Sequence, residues 1–181
     1  QALGRLGDAS DVPVLLGAAA GGEKGIVEAV TSRLSMLSGN DVDATILEAL
    51  NHGDPQSRQI VIDALGRRAY APATPVLIAY ARSADSPIRL AAIRALGETT
   101  TARDVSSLVD ILLQAKDASD VAAAEKAITT LYARIDERDL WADSLIAGLP
   151  QARPMAKSAL LRALSRHGGP KALQAAKTLF G

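Results

Sequence analysis

The stretch DSPIRLAAIRALG, residues 85–97, contains the pattern on which the fold depends. Its aliphatic residues precede Leu96 at spacings of three and four, which is typical of the buried face of an amphipathic helix. The stretch GDPQSRQIVIDALG, residues 53–66, shows the same pattern ahead of Leu65. Because two similar stretches follow one another at a short interval, the pattern predicts an internal repeat.

Leucines at the same position of the pattern as Leu65 and Leu96, which we call register leucines, recur along the chain at sequence spacings of 31, 31, 31, 35 and 33. They are Leu3, Leu34, Leu65, Leu96, Leu131 and Leu164. A second apolar series follows the first at Leu15, Ile46, Leu77, Leu108, Leu145 and Leu173. Two apolar series in each period predict two helices per repeat.

The two series predict helix pairs joined by short turns. The expected pairs are 11–20 with 23–37, 42–51 with 55–69, 74–83 with 87–98, 103–115 with 119–135, and 139–148 with 152–167, and a last helix is expected near 170–180. Short connections make consecutive helices antiparallel, and each pair must bury its apolar face on its neighbour. We therefore predict an all-α fold, a single array over residues 1–181 with repeats near 1–37, 38–69, 70–98, 99–135, 136–167 and 168–181.

Turn residues agree with these boundaries. Asp54 and Pro55 offer a cap and a first helical residue for one second helix, and Ser86 with Pro87 is expected to do the same in the next repeat. A Pro at the start of a helix costs no hydrogen bond, because the first N–H groups have no partner in the helix.

Composition narrows the function. Lys plus Arg and Asp plus Glu both number 20, so no net field attracts nucleic acid or an anionic membrane, and we expect protein partners. Without Cys and with two His, the chain has few residues for nucleophilic or metal chemistry, so we expect no catalytic, cofactor-binding or metal-binding residues. Because the sequence lacks an initiating Met, we expect a fragment of a longer protein.

The stretches 53–66 and 85–97 resemble HEAT repeats, in particular the short bacterial form, with a period of about 31, seen in phycobilin-lyase-type proteins. The resemblance implies a right-handed α-α superhelix of about five helix pairs plus a terminal helix, with a protein-binding role. It also implies a structural ladder between neighbouring repeats. The ladder residues would be Asp54, Arg58, Asp85 and Arg89, while Val27, Ala124 and Lys157 replace the arginine elsewhere.

Second helices line the concave side of HEAT arrays, so the resemblance places a row of basic side chains towards a partner. The candidates are Arg67, Arg94, Arg162 and Arg166. Residues 101–143 carry a net charge of −4, and the residues after Asp143 carry +6. This polarity is compatible with an acidic partner or adjoining domain, and equally with a solvated end of the array.

Three clusters admit a functional and a structural interpretation. Asp136, Glu137, Asp139 and Asp143 are compatible with a hard-cation site or with an acidic helix start. Tyr132 and Trp141 are compatible with a stacking platform or with core packing. His52 and His167 have no nucleophile arranged beside them in the sequence, so we expect solvated or capping histidines.

A non-catalytic protein-interaction or scaffolding module is the function that these patterns favour. Two alternatives remain. The first alternative is a nucleic-acid-binding protein that resembles the HEAT-like DNA glycosylases. The neutral net charge and the low number of aromatic residues, five, argue against it. The short repeat type suggests the other, a tetrapyrrole lyase or chaperone.

Overall fold

The chain folds into helix pairs. The computed structural model describes residues 7–39, 41–167, 169–171 and 173–174, and within these ranges it contains helices and no strand. The helices are α1 (Asp11–Ala19), α2 (Lys24–Met36), α3 (Val42–Glu48), α4 (Pro55–Arg67), α5 (Thr74–Tyr80), α6 (Ser86–Thr99), α7 (Val105–Leu113), α8 (Ala118–Arg134), α9 (Arg138–Gly148) and α10 (Pro154–His167). The prediction of an all-α fold built from paired helices is confirmed.

The ends of the chain fall partly outside the described residues. Leu3, the first leucine of the register, lies there, as does most of the helix expected near 170–180. Residues 169–171 and 173–174 are helical.

The chain divides into two compact units, Gln1–Ala95 and Leu96–Gly181, which we call the N-terminal and C-terminal units. In the N-terminal unit α2 packs on both α1 and α4. In the C-terminal unit α8 packs on both α7 and α10, and α7 also packs on α9. Within each unit, therefore, second helices stack on second helices, and each pair covers the apolar face of the next.

The register leucines form the core of both units. Leu34, Leu65, Leu96, Leu131 and Leu164 are all buried. Burying one such side chain contributes about 1.5–3 kcal/mol. In the second series Ile46, Leu77, Leu108 and Leu145 are buried too. Leu15 is half-buried because Val12 and Ala19 take the core positions of α1, and Leu173 is 60% exposed, so the pattern holds less well near the chain ends.

Two glycines allow second helices to approach closely. A Cβ built on Gly66 of α4 would lie 2.9 Å from the Cβ of Ala95 on α6. A Cβ on Gly97 would lie 2.9 Å from the Cα of Ala127 on α8. Each glycine directly follows a register leucine, so the Leu-Gly dipeptide combines a core side chain with a backbone contact.

Helix starts match one expectation and correct another. Asp54 caps α4, accepting hydrogen bonds from the backbone N–H groups of Gln56 and Ser57, with Pro55 as the first helical residue. The expected cap at Ser86 is wrong, because α6 already begins at Ser86. Asp85, the residue before Ser86, is the cap of α6. Its carboxylate accepts a 3.0 Å hydrogen bond from the N–H of Ile88, the third residue of the helix.

Candidate functional site

Three of the four arginines expected to face a partner lie in ion pairs with the preceding second helix. In the N-terminal unit Arg67 Nη2 lies 2.7 Å from Glu28 Oε1 of α2. Arg94 Nη2 lies 3.7 Å from Asp63 Oδ1 of α4. Arg67 also acts electrostatically on Asp63, so the four charges form one network across α2, α4 and α6. Sequence reasoning identifies the arginines and misses their acidic partners.

The same arrangement occurs in the C-terminal unit. Arg162 binds Glu125 of α8 with both Nε and Nη2, at 2.9 and 2.5 Å. This hydrogen bonding raises the pKa of Arg162. Arg134 Nε lies 3.9 Å from Glu98 of α6. Arg166 is exposed, and within the described part of the chain it forms no ion pair.

Asp63 has the least favourable environment in the N-terminal network. Burial raises the pKa of its carboxyl group, and the nearby Arg94 and Arg67 guanidinium groups only partly oppose that shift. The two arginines remain about half exposed. Pairs of this kind contribute about 0–1 kcal/mol each, so the network defines a charged surface more than it stabilises the fold.

The residues expected to form a ladder make bonds inside their own repeats. Asp54 also accepts a hydrogen bond from Ser57 Oγ, and Arg58 Nε donates to the carbonyl of Leu50 at 3.4 Å. Arg89 is buried and donates to the carbonyls of Ser83 and Ala84. These side chains therefore hold the turn between the two helices of a pair, and the ladder between neighbouring repeats stays a prediction.

A different arginine joins one second helix to the next. Arg68 Nη1 donates to the carbonyls of Leu34, Ser35 and Leu37 at 3.1, 3.2 and 2.7 Å, and its Nε contacts Asp43. In the C-terminal unit Arg134 Nη1 donates to the carbonyls at the end of α6. Its acceptors are Gly97 and Thr100, at 3.0 and 3.4 Å.

Both arginines lie three residues after a register leucine. Since the last carbonyls of a helix lack partners within it, each arginine completes the helix end of the preceding repeat. Their common offset is the signal available in the sequence.

The aromatic residues near the end of the described chain form a packed cluster. Trp141 is fully buried and donates from Nε1 to the carbonyl of Ile128. Tyr132 stacks on His167, with 4.3 Å between ring centroids, and the guanidinium carbon of Arg138 lies 3.9 Å from the Tyr132 ring centroid. Burial lowers the pKa of His167, and the positive charges of Arg166 and Arg138 add to the effect. Trp141 therefore serves packing and offers no open stacking face.

The acidic residues of α9 bind a lysine. Lys171 Nζ lies 3.0 and 2.8 Å from the two carboxylate oxygens of Asp143, and 3.9 Å from Asp139. The hydrogen bond to Asp143 raises the pKa of Lys171. Across the described ranges, no group of three or more His, Asp or Glu side chains is placed to hold a metal ion.

Each unit has a groove between successive first helices. The groove of the N-terminal unit, between α1 and α3, has a volume of about 450 Å³. Its lining is mostly apolar and includes Val12, Leu16, Gly17, Ala49, Glu48 and Asp54. The groove of the C-terminal unit, between α7 and α9, has a volume of about 400 Å³ and includes Val109, Leu113, Gly148, Asp110 and Asp143.

Helix pairs that repeat in sequence and stack second helix on second helix define an all-α repeat protein of the solenoid class. None of the described helices has the length and hydropathy required to cross a membrane. Residues 43–129, from α3 into α8, match the family model of HEAT repeats.

The chain is similar to a solved structure and to no curated protein. The crystal structure of an engineered protein is similar to this chain, with 18% identity and a TM-score of 0.49, over 94% of this chain and 90% of the other. No curated protein matches the sequence.

Proposed function

We propose that this chain is a non-catalytic protein-interaction or scaffolding module built from HEAT repeats. The observation that carries the proposal is the repeated placement of exposed, charged side chains on successive second helices of both units. A repeat protein presents such side chains at regular spacing on a rigid support, which suits recognition of another protein. The match to HEAT repeats supports the same role. The short repeat period of about 31 is part of this proposal, supported by the spacing of Leu34, Leu65 and Leu96.

The charge of the surface indicates how a partner is recognised. Arg67, Arg94 and Arg162 each have an intramolecular carboxylate, so an acidic partner has to share or displace it. Arg166 requires no such exchange with the described residues. Complementary charges contribute more to the specificity and the rate of association than to the affinity.

Neither alternative function is favoured by the described residues. Nucleic-acid binding requires a basic groove, and the groove between α1 and α3 has Glu48 and Asp54 on its rim. Trp141, which a stacking site would have to expose, is fully buried and in ring contact with Tyr132 and His167.

The test is capture of a partner followed by its titration. A protein that co-purifies with the chain is identified, and its dissociation constant is measured against Arg94→Gln/Arg162→Gln. Glutamine is preferred to glutamate here, because a glutamate would face Asp63 or Glu125 and destabilise the fold. We expect about tenfold weaker binding with an unchanged melting temperature.

The matched control removes two other exposed positive charges, Arg103→Gln/Arg153→Gln, and should bind like the wild type. Equal binding by all three proteins would remove the arginines from the interaction. A chain that captures no protein, and instead converts a small substrate, would contradict the proposed function itself.

A further inference from the structure

The groove between α1 and α3 is apolar along its floor and open to solvent. Its lining combines Val12, Leu16 and Ala20 of the first repeat with Ala49 of the second. At about 450 Å³ it has the size of a ligand pocket. No described side chain fills the groove, so an apolar surface is left for another molecule.

The rim of this groove is acidic. Residues 7–23 and 36–54, which include α1 and α3, contain seven Asp or Glu and no Lys or Arg. One of the seven, Asp43, pairs with Arg68 from the end of α4. Two of these acids line the groove, Glu48 and Asp54. Hydrogen bonds from Ser57 lower the pKa of Asp54, so its exposed carboxylate stays charged over the physiological range. Among the described residues, Glu48 forms no ion pair with Lys or Arg.

In the corresponding groove of the C-terminal unit, an acidic lining residue is paired with a lysine. There Asp143 lines the groove, and Lys171, from the residues after α10, donates to both of its carboxylate oxygens. At the groove between α7 and α9, therefore, the chain itself supplies the positively charged side chain, that of Lys171. The lining of the groove between α1 and α3 contains no Lys or Arg among the described residues.

We propose that the groove between α1 and α3 docks a basic amphipathic helix of a partner protein. The apolar stripe of that helix covers Leu16 and Ala49, and its flanking Lys or Arg side chains pair with Glu48 and Asp54. A helix that lays its apolar face in a hydrophobic groove is a recurring mode of peptide recognition. Nucleic acid and anionic membranes carry the same sign of charge as the rim and are disfavoured there. The inference rests on the proposed function and adds a second surface, on the first helices.

The probe is a labelled, end-capped peptide of about fourteen residues, long enough for about four helical turns. It carries Leu at positions i, i+4 and i+7 with Lys on both flanks. One companion peptide replaces every Lys with Glu, and another replaces every Leu with Ser. Fluorescence anisotropy measures binding of each to the full chain. We expect the basic apolar peptide to bind at least about tenfold more tightly than either companion, and its affinity to fall as salt rises from about 0.05 M to about 0.5 M.

Gly17 provides a variant that blocks the groove without disturbing the fold. It lies on α1 in the groove lining, and a Cβ there would meet no atom within 4 Å. Gly17→Leu should fill the groove, raise the helix propensity of α1 and abolish peptide binding. The matched control is Gly25→Leu on α2, also with open space around its Cβ and outside the groove lining, which should bind like the wild type. Glu48→Gln should weaken binding about threefold and reduce its salt dependence.

Three outcomes would overturn the inference: equal binding of the basic and acidic peptides, unchanged binding by Gly17→Leu, or concentration-dependent self-association that Gly17→Leu abolishes. The last result, seen by light scattering, would make a second copy of the chain the occupant. The proposed function is tested separately. If a captured partner still binds Gly17→Leu normally while the basic peptide binds nowhere, the groove inference fails and the interaction module stands.

Discussion

Gly66 of α4 packs directly against Ala95 of α6, so closely that a Cβ on Gly66 would lie 2.9 Å from the Cβ and 3.0 Å from the Cα of Ala95. The two backbones are therefore in contact with no side chain between them. A side chain at position 66 has to push α4 and α6 apart, because the neighbouring atoms belong to a short side chain and to backbone that cannot rotate away.

Gly66→Ala should lower the free energy of unfolding by about 1–3 kcal/mol, the cost typical of overpacking a close contact. Urea unfolding followed by far-ultraviolet circular dichroism measures it. Gly25→Ala, where the new Cβ meets open space, should instead leave the protein equally stable or slightly more stable. A neutral Gly66→Ala would show that the helices can separate freely.

Arg68→Ala should destabilise the protein by about 2–3 kcal/mol, because it removes three hydrogen bonds to the end of α2 and leaves those carbonyls without donors. Thermal unfolding provides the measurement. Its neighbour is the control: Arg67→Ala removes an exposed ion pair with Glu28 and should cost no more than about 1 kcal/mol. Equal losses for the two variants would contradict a special role for Arg68.

Ala69→Gly should stabilise the protein by up to about 1 kcal/mol. Ala69 has a φ of 49°, and the bonds Ala69 N–H to Gly66 and Tyr70 N–H to Leu65 close the end of α4 in the manner that favours glycine. Glycine removes the strain of the left-handed conformation, and this gain is larger than the stability lost because glycine gives the unfolded chain more conformational freedom. Chemical unfolding tests this against Ala18→Gly inside α1, where the same substitution should destabilise.

Acid should weaken the C-terminal unit through His167. Because the pKa of His167 is lowered in the folded state, the unfolded chain binds a proton at a pH where the folded chain does not. The contribution is complete above the ordinary histidine pKa and is lost as the pH falls below it, so stability should drop between about pH 7.5 and about pH 5.5.

Trp141, the single tryptophan, lies 6.2 Å from the His167 ring and reports this transition by fluorescence. His167→Gln should reduce the pH dependence of the unfolding free energy. His52→Gln, at the groove of the N-terminal unit, is the control and should retain it. An unchanged slope in His167→Gln would assign the dependence to other groups.

Much of the fold follows from the sequence, because the buried residues of a repeat protein recur at regular spacing. The spacing of Leu34, Leu65 and Leu96 locates the core, and the Asp54-Pro55 dipeptide locates a helix start to the residue. The sequence places the cap of α6 one residue late, because Asp85 and Ser86 are both good capping residues and only the backbone decides between them.

The surface is harder to predict. Arg67, Arg94 and Arg162 stand out in the sequence, but each pairs with an acid about one repeat earlier in the chain, Glu28, Asp63 and Glu125 respectively. No local spacing rule links charges on different helices, so pairing depends on how the repeats stack. The groove between α1 and α3 escapes prediction for the same reason, since its two walls are separate in the sequence and neither is distinctive alone.

The bonds from Arg68 to the end of α2, and from Arg134 to the end of α6, bear on synthesis of the chain. On the ribosome, α2 emerges a full repeat before the side chain that terminates it. We therefore expect the last turn of the nascent helix to stay frayed until the following repeat has left the exit tunnel. Folding of the growing polypeptide should then lag translation by about one repeat.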